Sequence, residues 1–174
     1  MAPKSKAELQ AAIRECLELS TDCSKGRHGP IGSWAVSVVS DMSWLFFDEN
    51  DNLIPGANKF NGDISKWDVS RVADMHGMFA SSSSFNGDLS KWDVSGVINM
   101  QNMFAFTAFN GDLSKWHVSK VTDMSRMFGG AKLFNGGISK WDVSRVTRMG
   151  AMFSYALSFN VGISKWDVSR VTSM

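Results

Sequence analysis

The chain is poor in the residues from which most reactive sites are made. Among 174 residues there are two cysteines, three histidines, one tyrosine and three prolines. Cys16 and Cys23 both lie ahead of the repeated part of the chain, so the fold is not a disulfide scaffold. Free thiols are the expectation for this pair; a bridge stays open if a helix ends between them. The histidines, His28, His76 and His117, fall at unrelated positions, and no Ser/His/Asp or Cys/His set emerges from the pattern. A glycine-rich phosphate loop and a paired-cysteine zinc site are also missing. No catalytic residue, cofactor ligand or metal ligand is therefore assigned, and an enzyme is not expected. A net charge of +1 gives no strong drive toward nucleic acid or anionic membrane. No apolar run approaches the roughly 18 residues of a membrane span. The first residues carry lysines with no apolar block behind them, so no secretory leader is read; an intracellular protein fits, as does a mature form.

What the chain has in abundance is repetition. The stretch 134–153, FNGGISKWDVSRVTRMGAMF, recurs with small changes from Phe60, Phe85 and Phe109, and a shorter copy runs from Phe159 to Met174. Trp67, Trp92, Trp116, Trp141 and Trp166 are spaced by 25, 24, 25 and 25 residues. Self-similarity at such a period signals an array of stacked units. Trp34 to Phe46 matches Trp67 to Phe79 position by position, which makes it a divergent first copy. Residues 48–58 are an insertion after it, with an acidic tip and Pro55-Gly56, and read as a solvent loop.

Within a copy, Trp67 and Val69 alternate with Lys66, Asp68 and Ser70, a period of two that predicts a short strand. Val72, Met75, Met78 and Phe79 then predict a helical or 3₁₀ stripe facing the same core. Ahead of the copies, Ser5 and Glu8 form a capping box for a helix over 7–19 whose apolar face is Leu9, Ile13, Cys16 and Leu17. The expected architecture is an α/β repeat solenoid, with parallel short strands stacked one per coil, helical or 3₁₀ segments opposite, and an N-terminal capping helix. Residues 1–30 form the cap and linker. Residues 31–174 form about five to six coils, the last incomplete and open at its end. Asn61, Asn86, Asn110, Asn135 and Asn160 are expected to form a buried ladder that satisfies the backbone of each bend.

The repeat string, Phe-Asn-x-x-Ile/Leu-Ser-x-Trp-Asp-Val-Ser-x-Val-Thr-x-Met-x-x-Met-Phe, resembles that of the BspA-like leucine-rich-repeat surface proteins, over residues 31–174. The resemblance implies a leucine-rich-repeat-like solenoid and a surface, adhesion or protein-recognition role at the cell surface or outside the cell.

The candidate interaction face is the outward row of Lys66, Lys91, Lys115, Lys140 and Lys165 with Asp68, Asp93, His117, Asp142 and Asp167. The first reading of such rows is a self-compensating solvated face; the functional one is a recognition surface for a protein partner, with a glycan as the second class. Asp63, Asp88 and Asp112 suggest a calcium row, but Gly137 and Gly162 take their place in the last two copies. The expected function is a non-enzymatic recognition, adhesion or protein-interaction module. The alternative is a scaffold subunit whose partner, or a second copy, covers the last coil; a calcium-stabilised repeat protein is the weakest reading.

Overall fold

Ser5 starts the helix α1, Lys6–Leu19, where the sequence places it. Its hydroxyl accepts the N–H of Glu8 at 3.2 Å, and the Glu8 carboxylate returns a bond to the Lys4 N–H at 2.8 Å. The Ser5 hydroxyl thus satisfies one orphan amide of the first turn, while Glu8 reaches one residue beyond the cap to Lys4 and not, as in a capping box, to the Ser5 amide. This computed structural model describes residues 2–174. The apolar face of α1, Leu9, Ala12, Ile13, Cys16 and Leu17, joins the same core cluster as the repeats. On its polar side Gln10 donates to the carbonyls of Trp44 and Phe47 in the first copy. After α1 the chain turns back at Ser20 and sets the Cα atoms of Cys16 and Cys23 5.1 Å apart, where they form a disulfide. The expectation of free thiols is thereby corrected: the helix ends early enough for the second cysteine to fold onto its last turn.

The expected α/β leucine-rich-repeat-like solenoid, with one strand per coil, is overturned. Among the described residues there is no sheet. Only single-residue parallel bridges link the copies, running Asp41, Asp74, Asn99, Asp123, Arg148 and Ser173. The Trp-Asp-Val-Ser segments do alternate inward and outward as read, yet they are not strands. Their amides are consumed locally: Trp67 donates to the Ile64 carbonyl, Ser70 to the Asp68 carboxylate and Val72 to the Val69 carbonyl. A strand ladder needs those donors free, so tight turns win.

The expected helical or 3₁₀ stripe is overturned as well. The two 3₁₀ turns, Ile31–Ser33 and Ala57–Lys59, lie outside the Met-x-x-Met-Phe segments. In those segments alternate amides point in different directions. Met75, Gly77, Phe79 and Ser81 donate to the carbonyls of Asn99, Gln101, Met103 and Ala105 in the next copy, at 2.8–3.0 Å. Between them, Met78, Ala80 and Ser82 return to the carbonyls of Met75, Gly77 and Phe79 at 3.0–3.1 Å. The third residue of two of these turns is left-handed in every full copy: Gly77 and Ser81, Asn102 and Phe106, Arg126 and Gly130, Ala151 and Tyr155. A helix cannot pass through such residues.

The core is where the repeat pattern put it. Phe60, Ile64, Trp67, Val69, Val72, Met75, Met78 and Phe79 are all buried, as are their equivalents through Trp141. Two columns of phenylalanine rings run along it, Phe79, Phe104, Phe128 and Phe153 at 5.6–5.8 Å and Phe60, Phe85, Phe109, Phe134 and Phe159 at 5.9–6.3 Å. The indoles of Trp67, Trp92, Trp116, Trp141 and Trp166 each reach back one copy: Trp116 donates to the Leu89 carbonyl at 3.0 Å and Trp141 to that of Leu113 at 3.0 Å. The asparagine row forms a ladder but an exposed one, and it serves the following copy rather than its own bend. The Oδ1 of Asn61, Asn86, Asn110 and Asn135 accepts the N–H of the next asparagine at 2.7–2.9 Å. The insertion keeps residues 49–52 exposed, while Ile54 and Ala57 enter the core.

Trp116→Ala removes a core aromatic and strands the Leu89 carbonyl. It is expected to cost roughly 3–5 kcal/mol in urea unfolding; a loss below about 1 kcal/mol would refute the inward register of the tryptophans.

Candidate interaction face

All ten residues of the candidate face are exposed: Lys66, Lys91, Lys115, Lys140 and Lys165, with Asp68, Asp93, His117, Asp142 and Asp167. Their exposure follows from the alternation that buries Trp67 and Val69 between them. The two rows do different work, however. The carboxylates of Asp68, Asp93, Asp142 and Asp167 each accept the N–H of the serine two residues on, Ser70, Ser95, Ser144 and Ser169, at 3.0–3.1 Å. These are Asx turns, and they fix the backbone of the face. Asp63, Asp88 and Asp112 do the same for Ser65, Ser90 and Ser114 at 2.9–3.0 Å. The residues that suggested calcium are therefore engaged by their own turns. Among the described residues no three His, Cys, Asp or Glu side chains converge on a common point.

The serine hydroxyl, and then the serine N–H, hold the carboxyls of Asp63, Asp68, Asp88, Asp93, Asp142 and Asp167 below the ordinary aspartate value. Nearby charges contribute smaller effects: Lys91 of the same copy and Lys115 of the next act on Asp88, and His117 and Lys120 of the next copy on Asp93. The lysines themselves form no salt bridge among the described residues and are free to meet a partner.

Three features escaped the sequence pattern. A second basic column, Arg71, Lys120, Arg145 and Arg170, is exposed just past the aspartates. Its signal was the recurring basic residue of Val-Ser-Arg/Lys-Val. A polar column runs through the bridge positions. Asp123 is 3% exposed and is paired with Arg148 at 2.8 Å, and the Asn99 amide donates to Asp74 at 3.4 Å. Finally, Phe106 and Tyr155 stand out on the surface at left-handed positions. The three histidines occupy separate settings: His28 beside Glu15, His76 against the Trp44 ring, and His117 on the exposed face.

With this geometry in place, comparison with known proteins adds one relation. A family described as a Mycoplasma protein of unknown function, DUF285, matches residues 15–118 and 105–174. The chain belongs to the DUF285 family. Neither a curated protein nor a solved structure matches it. The DUF285 match thus spans the last turns of α1 and all the stacked copies. No helix among the described residues is long and apolar enough to cross a membrane.

The aspartate turns make stability acid-sensitive. A carboxyl whose folded pKa lies below its unfolded one contributes above the unfolded value, and the contribution is lost as pH falls through the folded value. The melting temperature is expected to hold from pH 7 to about 5 and to fall below about pH 4, where aspartates protonate. In Asp93→Asn that acid drop should shrink; an unchanged drop would mean that the Asx turns are not what titrates.

Proposed function

We propose that this DUF285 chain is a non-enzymatic recognition or adhesion module that binds a protein partner through its lysine and aspartate rows. The observation that carries the reading is the division of labour on that face. The aspartates are committed to holding the backbone, which leaves Lys66, Lys91, Lys115, Lys140 and Lys165 exposed in one line without intramolecular partners. The basic column of Arg71, Lys120, Arg145 and Arg170, interrupted at Gly96, adds a second line of positive groups on a scaffold whose net charge is only +1. Such an array suits a partner with acidic groups at matching intervals. The resemblance of the repeat string to the BspA-like surface proteins supports the same class of role, and with it a location at the cell surface.

A second reading is a scaffold subunit whose partner covers the last copy. Phe159, Ile163, Trp166 and Val171 are only half buried, although their equivalents in earlier copies are fully buried. The amides of Ala151, Phe153 and Tyr155, which correspond to those that donate to the next copy, have no backbone acceptor among the described residues.

The test replaces Lys91, Lys115 and Lys140 together by alanine and compares partner capture from the native source. The variant should stay within roughly 0.5 kcal/mol of the parent per substitution, because the three exposed side chains form no hydrogen bond or salt bridge, and it should lose the partner. A partner captured equally by both proteins would contradict the lysine face and shift the contact to the last copy.

A further inference from the structure

One column of the repeat turns apolar side chains outward. Ser81, Phe106, Gly130 and Tyr155 occupy equivalent places in successive copies, and all four have φ between 57° and 70°. The left-handed backbone sends these side chains away from the core, so Phe106 is 64% exposed and Tyr155 77% exposed. Gly130 lies between them and leaves a notch. The Phe106 ring leans over it, close enough that a Cβ on residue 130 would collide with the ring. A groove of about 170 Å³ results, walled by the two aromatic residues and floored by Gly129 and Gly130. It is distinct from the lysine and aspartate rows.

The rim is polar, and its polar groups are unengaged. Asn102, Arg126 and Ser154 line the groove, and their side chains form no hydrogen bond or ion pair with the protein among the described residues. No carboxylate lines it, so Arg126 is its one charge. Across the floor Phe106 donates its N–H to the Gly129 carbonyl and Gly130 donates to that of Ser154, so the backbone between the two aromatic residues is engaged, while the Ala151 and Tyr155 amides at the edge of the groove are not.

We propose that this groove binds a single carboxylate-bearing sugar ring, a uronate or sialate unit of an acidic glycan. A pyranose presents a face of polarised C–H groups, which suits the electron-rich face of Tyr155 or Phe106. Its hydroxyls reach the rim, where Asn102 and Ser154 can exchange hydrogen bonds. Its carboxylate meets the guanidinium of Arg126, a planar donor matched to that group. The groove is only about 170 Å³ and its apolar part is two exposed aromatic residues, shorter than the stripe of anchors that a docked amphipathic helix requires.

The experiment screens the whole chain against an array of glucuronate-, galacturonate- and sialate-bearing oligosaccharides, with neutral oligosaccharides and short acidic peptides as comparisons. The best hit is then titrated by calorimetry. The expected result is binding of an acidic glycan at least ten-fold tighter than its neutral counterpart. Tyr155→Ala and Arg126→Gln should each weaken it ten-fold or more at unchanged melting temperature. Raised salt should weaken the parent and leave Arg126→Gln nearly unaffected. Absence of binding to every acidic glycan, affinity for acidic peptides equal to that for glycans, or binding that survives both substitutions would overturn the proposal.

Discussion

The structure depends on one alternation of backbone hydrogen bonds. Along the Met-x-x-Met-Phe segments that begin at Met75, Met100 and Met124, every second amide donates to the next copy and amides between return three residues within their own. Neither set alone would suffice. The returns make tight turns that a lone copy could not keep closed in water, and the outward donations lock each turn onto its neighbour. Left-handed residues are what let both sets exist together. They fall on glycine at Gly77 and Gly130 without cost, but on Arg126, Ala151 and Tyr155 they carry a steric penalty that the stacked copies must hold in place.

The side chains follow from that frame. Once the copies are in register, identical residues lie over one another, and the phenylalanine columns and the tryptophan-to-carbonyl bonds follow. Polar rows obey the same geometry with different consequences. Like charges at this spacing would repel, so the bridge column breaks its acidic run with Asn99 and Arg148, and the latter pairs with the buried Asp123. On the exposed face the aspartates instead spend their acceptors on serine amides, which steadies the loops beneath the lysines. A face can vary in sequence without disturbing the core, because its hydrogen bonds are local and the inter-copy bonds lie elsewhere.

The burial pattern and the helix α1 were legible in the sequence, and the secondary structure of the repeats was not. Period two at Trp67 and Val69 correctly marks which side chains turn inward, but a strand and a string of tight turns share that period. What decides between them is where the amides of Trp67, Ser70 and Val72 go, and hydrophobic spacing is silent on this. Likewise the spacing of Met75, Met78 and Phe79 suits a helix. The left-handed residue between the methionines is glycine in only one full copy, so composition gave no warning. The lysine row was readable because it recurs. Phe106 and Tyr155 were not, because their position varies from copy to copy, and in an array such variation marks the places that stacking leaves free. The asparagine row was placed correctly as a ladder and wrongly as buried, since its bonds reach along the surface from one copy to the next.

Amide hydrogen exchange by NMR tests the central claim most directly. Met100, Asn102, Phe104 and Phe106 donate to the following copy, and Met103 and Ala105 donate within their own. If the alternation holds the molecule together, both sets should be protected to the same level and should exchange only with cooperative opening of the stack. Exchange of Met100, Asn102, Phe104 and Phe106 orders of magnitude faster than that of Met103 and Ala105 would contradict it, because the copies would then be held by side-chain packing without the backbone coupling described here.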